Sequence, residues 1–228
     1  MSMENMRDIR VFYSRGGAAS YISHLDINRC FQRALARSHL PVWYTQGFNP
    51  HIYITFAMPT PLGYKSECES MDMRVTNDIS YDEIKERLNN ALPPDFNVYK
   101  VSEPVNKNED IVKAEYAVTI SVPLKTSAEL NTEFEKFLEQ EKILVQKKSK
   151  KGFNELDIKP CVELLGSRCT SGDDLTLTLR LAAGGTLSIN PTLVLEAFAA
   201  FANCQQDCPR ITKLRVLAQN GGELEEFA

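Results

Sequence analysis

A chain of 228 residues with 43% hydrophobic and 25% charged side chains holds enough apolar material for a sizeable core and reads as folded. No apolar run approaches the roughly 18–20 residues that span a bilayer, and MSMENMRDIR lacks a signal-like apolar core, so a cytoplasmic, non-membrane protein is expected. The net charge of −4 excludes little: residues 1–66 carry seven Lys/Arg against three Asp/Glu, and residues 67–110 carry five against eleven, while a basic face acts over about a Debye length, roughly 8 Å at physiological salt.

Ile9–Ser14 is a β-branched and aromatic run, read as a first strand that Arg15-Gly16-Gly17 breaks. Ser23 then has the chemistry of an N-cap, with Asp26 three residues on imitating a capping box and Ile22 and Ile27 placed to staple it. From about Leu25 to Ser38, Ile27, Phe31, Ala34 and Leu35 share one face of a helix and Arg29, Arg33 and Arg37 share another. Pro41–Thr45 is extended, and Gln46–Pro50 is a turn in which Gly47 supplies positive φ while Pro50 keeps Asn49 out of helix. His51–Ala57 alternates as a strand, MPTPLGY is a loop around Gly63, Met71–Val75 is a strand, and Ser80–Leu92 is a helix with Glu83 completing a second capping box. Asn97–Val101 is a strand before a polar linker, Glu103–Asp110.

The second half repeats the order: strand Glu115–Val122, helix Ser127–Gln140, strand Ile143–Lys148, a return strand Asp157–Leu165, strand Leu175–Leu181, helix Pro191–Phe201 capped by Asn190, and strand Ile211–Leu217. The expected fold is therefore α+β: two tandem ferredoxin-like βαββαβ domains, residues 1–108 and 109–228, each an antiparallel sheet with helices on one face.

Arginines at four-residue spacing present forked donors suited to phosphates. Phe48 beside the turn, with Trp43, Tyr44 and Tyr53 near it in sequence, offers rings on which bases stack, and His51 is a candidate acid/base or anion donor. His24, just after the N-cap, sits where helix amides favour anions. Lys147, Lys148, Lys150 and Lys151 form a basic hairpin tip fit for a polymer backbone. Glu67, Glu69 and Asp72 are expected on one strand face, paired with the arginine stripe. Phosphate-loop, dinucleotide, zinc-protease and serine-hydrolase motifs are absent from the sequence, and Cys204 and Cys208 lack usual zinc spacing. No metal or cofactor is expected.

The motifs SHLD (Ser23, His24, Asp26), the Arg-x-x-x-Arg run, QGFNPH (Gly47, Asn49, Pro50), PLG (Gly63), S-x-x-E (Glu69) and KK-x-KKG…DIKP resemble the radical SAM-linked bacterial family, a domain of unknown function fused to or encoded beside B12-binding radical SAM proteins. Members of that family read GFNPHP, whereas Ile52 stands at the last position here. The iron–sulfur C-x3-C-x2-C motif is absent, so the resemblance implies a partner of a radical SAM protein and not the radical enzyme. The element order also looks like the tandem ferredoxin-like RNA-processing proteins of CRISPR systems. The leading expectation is a non-catalytic RNA-binding or substrate-presenting partner of a radical SAM enzyme in tRNA or rRNA modification or processing. The alternatives are a metal-independent endoribonuclease using His24 or His51, and a protein-interaction adaptor without RNA.

Overall fold

A computed structural model describes residues 6–149, 152–170, 173–185, 187–204 and 207–228. The chain is mixed α+β, its sheet mostly antiparallel, and it divides into two compact units: residues 1–108 with 226–228, and residues 109–225. The last three residues thus belong to the first unit, whereas the sequence reading kept all of 109–228 together.

The first unit runs β1 (Arg7–Arg15), α1 (His24–Arg37), β2 (Ile54–Phe56), β3 (Lys65–Val75), α2 (Tyr81–Ala91) and β4 (Phe96–Ser102). Its sheet order is β4–β1–β3–β2, with Ile9 opposite Met73, Val11 opposite both Met71 and Val101, and Thr55 opposite Asp72. Side chains alternate across a strand, so Ile9, Val11 and Tyr13 of β1 point together into a core closed by Phe31 and Leu35 of α1 and Ile84 of α2. The four apolar positions read from the helical period of α1 are its four buried apolar residues.

On the other face of β1, Arg10 is 1% exposed. Its guanidinium donates to both carboxylate oxygens of Asp72 at 2.6 and 2.8 Å and to the Ala228 carbonyl at 2.8 Å, and it lies 4.1 Å from the centre of the Phe227 ring. The Ala228 carbonyl also accepts from the Val105 and Asn106 amides, which fastens residues 226–228 to this unit. A buried charge survives only where its donors are met; here a bidentate carboxylate and a carbonyl meet them.

The second unit runs β5 (Ile111–Ile120), α3 (Ser127–Glu139), β6 (Leu144–Ser149), β7 (Gly152–Asp157), β8 (Val162–Cys169), β9 (Leu175–Ala182), α4 (Pro191–Phe201), β10 (Arg210–Asn220) and β11 (Glu223–Glu226). Its sheet order is β10–β5–β9–β8, with β11 beside β10 and with β6 and β7 forming a separate hairpin. Leu175, Leu177, Leu179 and Leu181 are fully buried, and Phe134, Phe137 and Phe198 pack with ring centres 5.1–5.7 Å apart. Set aside the hairpin and β11, and strands counted in chain order lie fourth, first, third, second in both units.

Two local expectations are corrected. The return strand Asp157–Leu165 is two strands, because Pro160 has no amide to donate and a short 3-10 turn, Lys159–Cys161, intervenes. One Asp157 carboxylate oxygen accepts from the Ile143 amide at 2.9 Å and the Lys159 amide at 3.0 Å, which closes the hairpin before that turn and holds the Asp157 carboxyl below its ordinary value. Ser80 does cap α2, but the Glu83 carboxylate pairs with Arg87 instead of returning to the cap. The reciprocal capping box belongs to Thr126 and Glu129 at the start of α3.

Candidate functional site

Ser23 caps α1: its hydroxyl accepts from the Asp26 amide at 3.2 Å and donates to the Asp26 carboxylate at 2.7 Å. That hydroxyl, and then Arg29, hold the Asp26 carboxyl below its ordinary value. Position 26 therefore carries a fixed negative charge at the head of the basic face.

Along that face lies a groove of about 370 Å³ lined by Asp26, Arg29, Cys30, Arg33 and Arg37. Successive arginines are about 6 Å apart along the helix axis. They are not equivalent. Arg29 donates to Asp26 at 3.1 Å, an exposed pair of the kind worth little. Arg37 donates from one nitrogen to the Ala91 carbonyl at 2.8 Å, where it meets the last turn of α2. Arg33 makes no hydrogen bond or ion pair among the described residues. It is the cation with its full donor fork open to a ligand. Cys30, in the groove wall, has its thiol pushed up by burial against the pull of Arg37 and Arg33, so it stays a neutral wall.

The turn after α1 is shaped by its sequence. Gly47 takes φ +128°, which a side chain would resist, and Phe48 stands wholly in solvent. Tyr44 is 49% exposed and bridges to buried Ile52, so the residue at the departure from GFNPHP is a core contact. The other aromatics are engaged. Trp43 and Tyr53 meet edge to face at 5.8 Å, with the Arg74 guanidinium 5.4 and 5.6 Å from their rings. Arg74 is itself gripped by both oxygens of Asp8.

The three histidines separate in role. His24 lies edge-on to Phe56 at 5.1 Å, a packing contact beneath the cap. His39 follows α1 with φ +53° and offers its carbonyl to Arg87, a helix-ending position. His51 is exposed, and its Nδ1 is 3.1 Å from both the Asn49 carbonyl and the Thr45 hydroxyl. A carbonyl only accepts, so Nδ1 is the nitrogen that donates to it.

The acids do not pair with the arginine stripe as expected. Glu69 and Asp72 differ in parity along β3 and so leave on opposite faces. Asp72 binds Arg10, while Glu69 is 3% exposed and accepts from the Thr60 amide at 3.4 Å and from its hydroxyl. Beside it Arg15, 2% exposed, donates to the carbonyls of Thr60, Pro61 and Tyr64 at 3.3, 3.1 and 3.1 Å. Gly63, with φ +87°, bonds the Ser20 carbonyl. Gly63 and Glu69 thus build the clasp of the proline loop. Arg15 escaped the sequence reading, although its parity with Ile9, Val11 and Tyr13 marks it as inward-facing.

Lys150 and Lys151 lie outside the described residues. Lys147 and Lys148 lie in β6, opposite Asn154 and Phe153, and their side chains are likewise outside the description. Among the described residues no group of three His, Cys, Asp or Glu side chains gathers at metal-holding distance.

The model of one protein family matches residues 8–191, a span that contains the groove, the turn and the clasp. The chain belongs to the family described as an uncharacterized protein conserved in bacteria (DUF2344). No curated protein matches it. Among solved structures, an unknown protein from Galdieria sulphuraria is 14% identical, with 91% of this chain and 98% of that one covered and a TM-score of 0.27. A putative glycine cleavage system transcriptional repressor is 11% identical, with 93% and 99% covered and a TM-score of 0.24. At these scores neither carries weight for the DUF2344 chain, whose fold is read from its own strand order. No helix among the described residues is long and apolar enough to cross a membrane.

Proposed function

We propose that the chain is a non-catalytic, cytoplasmic RNA-binding or substrate-presenting module built of two ferredoxin-like domains, acting beside a radical SAM enzyme in RNA modification or processing. The observation that carries the RNA reading is the unpaired guanidinium of Arg33 in a groove walled by two further arginines. Phe48, free in solvent on the same unit, supplies a ring for stacking. Arg33 holds a phosphate, Arg29 joins it by leaving a weak surface pair, and Arg37 contributes the donors its Ala91 bond leaves open. Lys147, Lys148, Lys150 and Lys151, in the second unit, add backbone contacts of their own. The radical SAM partner rests on the motif resemblance alone.

One capture experiment tests both halves. The tagged chain is recovered from its native cell, bound RNA is sequenced and bound proteins are identified. RNA enrichment lost in R33A, together with a radical SAM protein, is the expected result. Recovery of proteins with no RNA moves the chain to the adaptor reading.

His51 keeps a second reading open, because it is exposed in the turn with its Nδ1 against the Asn49 carbonyl, which leaves Nε2 as the nitrogen that would take a proton from a bound ribose hydroxyl. RNA cleavage by the wild type that disappears in H51A and persists in H24A would make the chain an endoribonuclease. Uncut RNA leaves it a binder.

A further inference from the structure

β8 is the outermost strand of the second unit's sheet: β9 lies along one edge, and among the described residues no strand lies along the other. Such an edge presents a row of unpaired backbone donors and acceptors, which folded proteins commonly blunt with lysine or proline. The outer strand of the first unit, β4, follows that rule, with Lys100 in FNVYKVS. β8 reads VELLGSRC, with neither lysine nor proline; what it carries instead is one bulge and two charges of opposite sign, Glu163 and Arg168.

A bulge between Leu164 and Gly166 resets which residues share a face. Glu163, Gly166 and Arg168 oppose Arg180, Thr178 and Thr176, whereas Leu164 and Ser167 oppose the buried Leu179 and Leu177. Glu163 and Arg168 are five apart, yet they lie on one face with Gly166 between them. The strand is its own complement. A two-fold axis through Gly166 sets Glu163 of one copy opposite Arg168 of the other, twice, and Leu164 opposite Ser167. Leu165, 39% exposed at the bulge, then lies beside its counterpart near the axis. Arg168 is exposed and makes no ion pair among the described residues. Glu163, half exposed, shares its carboxylate with Arg180 at 3.2 Å and Lys113 at 3.8 Å, and so stays at the surface within reach of a further cation.

We propose that β8 pairs antiparallel with β8 of a second copy of this chain, giving a two-fold dimer whose register is set by the Glu163–Arg168 pairs. The occupant is a second copy because charge complementarity and face parity are satisfied together by this strand's own sequence.

Sedimentation equilibrium of the full chain over a concentration series tests this. The wild type is expected to dimerise, R168E to raise the dimer dissociation constant about tenfold or more by placing two like-charge pairs across the strands, and E163R/R168E to restore it. K100E, on the other outer strand, is expected to leave it unchanged. A wild type that is monomeric throughout, or a dimer indifferent to R168E, overturns the proposal. G166C adds a reading that needs no charge reversal, since a Cβ at position 166 meets nothing within 4 Å. Residues opposite one another across antiparallel strands have Cα atoms about 4.5–5.5 Å apart, within disulfide reach. Under mild oxidation G166C is expected to form a covalent dimer that the wild type does not, and failure to do so also counts against the pairing.

Discussion

Arg29, Arg33 and Arg37 look alike in the sequence, and only tertiary contacts distinguish them. Asp26 takes the first, the Ala91 carbonyl takes the third, and Arg33 is left with its donors free. Their common face was legible from the four-residue spacing; which of them was spoken for was not, because the Ala91 carbonyl is 54 residues away. R33A is therefore expected to weaken RNA binding more than R29A, whose side chain begins in an ion pair. A fluorescence anisotropy titration of the two variants compares them. Asp157 carries a pH prediction at the same scale. Two amides bind its carboxylate, so the folded chain holds its proton less tightly than the unfolded chain, and its stabilising effect is present above about pH 4. It is lost as pH falls through the lowered folded value. The stability gap between wild type and D157N, followed by urea unfolding, should accordingly be widest at neutral pH and close in acid.

Among the elements, α1 was the most legible, since its cap, its buried stripe and its basic face each follow from the helical period. β1 was legible only in part. The apolar run gave the strand, but two arginines within it are buried on opposite faces, Arg10 onto Asp72 and Arg15 onto the proline loop, and neither partner is near in sequence. Alternation places only Arg15 on the core face; Arg10, on the opposite face, is covered by Asp72 and Phe227. Removing one partner of a buried pair leaves an uncompensated charge, so D72A should destabilise the first unit by about 3 kcal/mol, measured by urea unfolding. In the second unit Pro160 divides what alternation joins into one strand, and the capping box of α3 starts at Thr126, just before the first helical residue Ser127. T126A should cost about 1 kcal/mol in the same assay, with helix content otherwise retained by circular dichroism.

At the scale of the molecule, the chain leaves the first unit near residue 108 and returns to it with residues 226–228, where Phe227 is buried against Arg10. Nothing in the local pattern of ELEEFA announces this, because a single buried aromatic after a charged run has no periodicity to read. F227A should cost about 3 kcal/mol and expose the Arg10 face of the sheet, which hydrogen exchange in β1 would report. The central claim concerns what the first unit holds. It is tested most directly by RNA affinity as a function of salt, measured by anisotropy on one single-stranded RNA with wild type, R33A and F48A. Binding through phosphates predicts affinity that falls linearly in log–log form with salt, a slope shallower by about 0.7 in R33A, and weaker binding with an unchanged slope in F48A. Absent or salt-independent binding, or an R33A slope equal to that of the wild type, would contradict it.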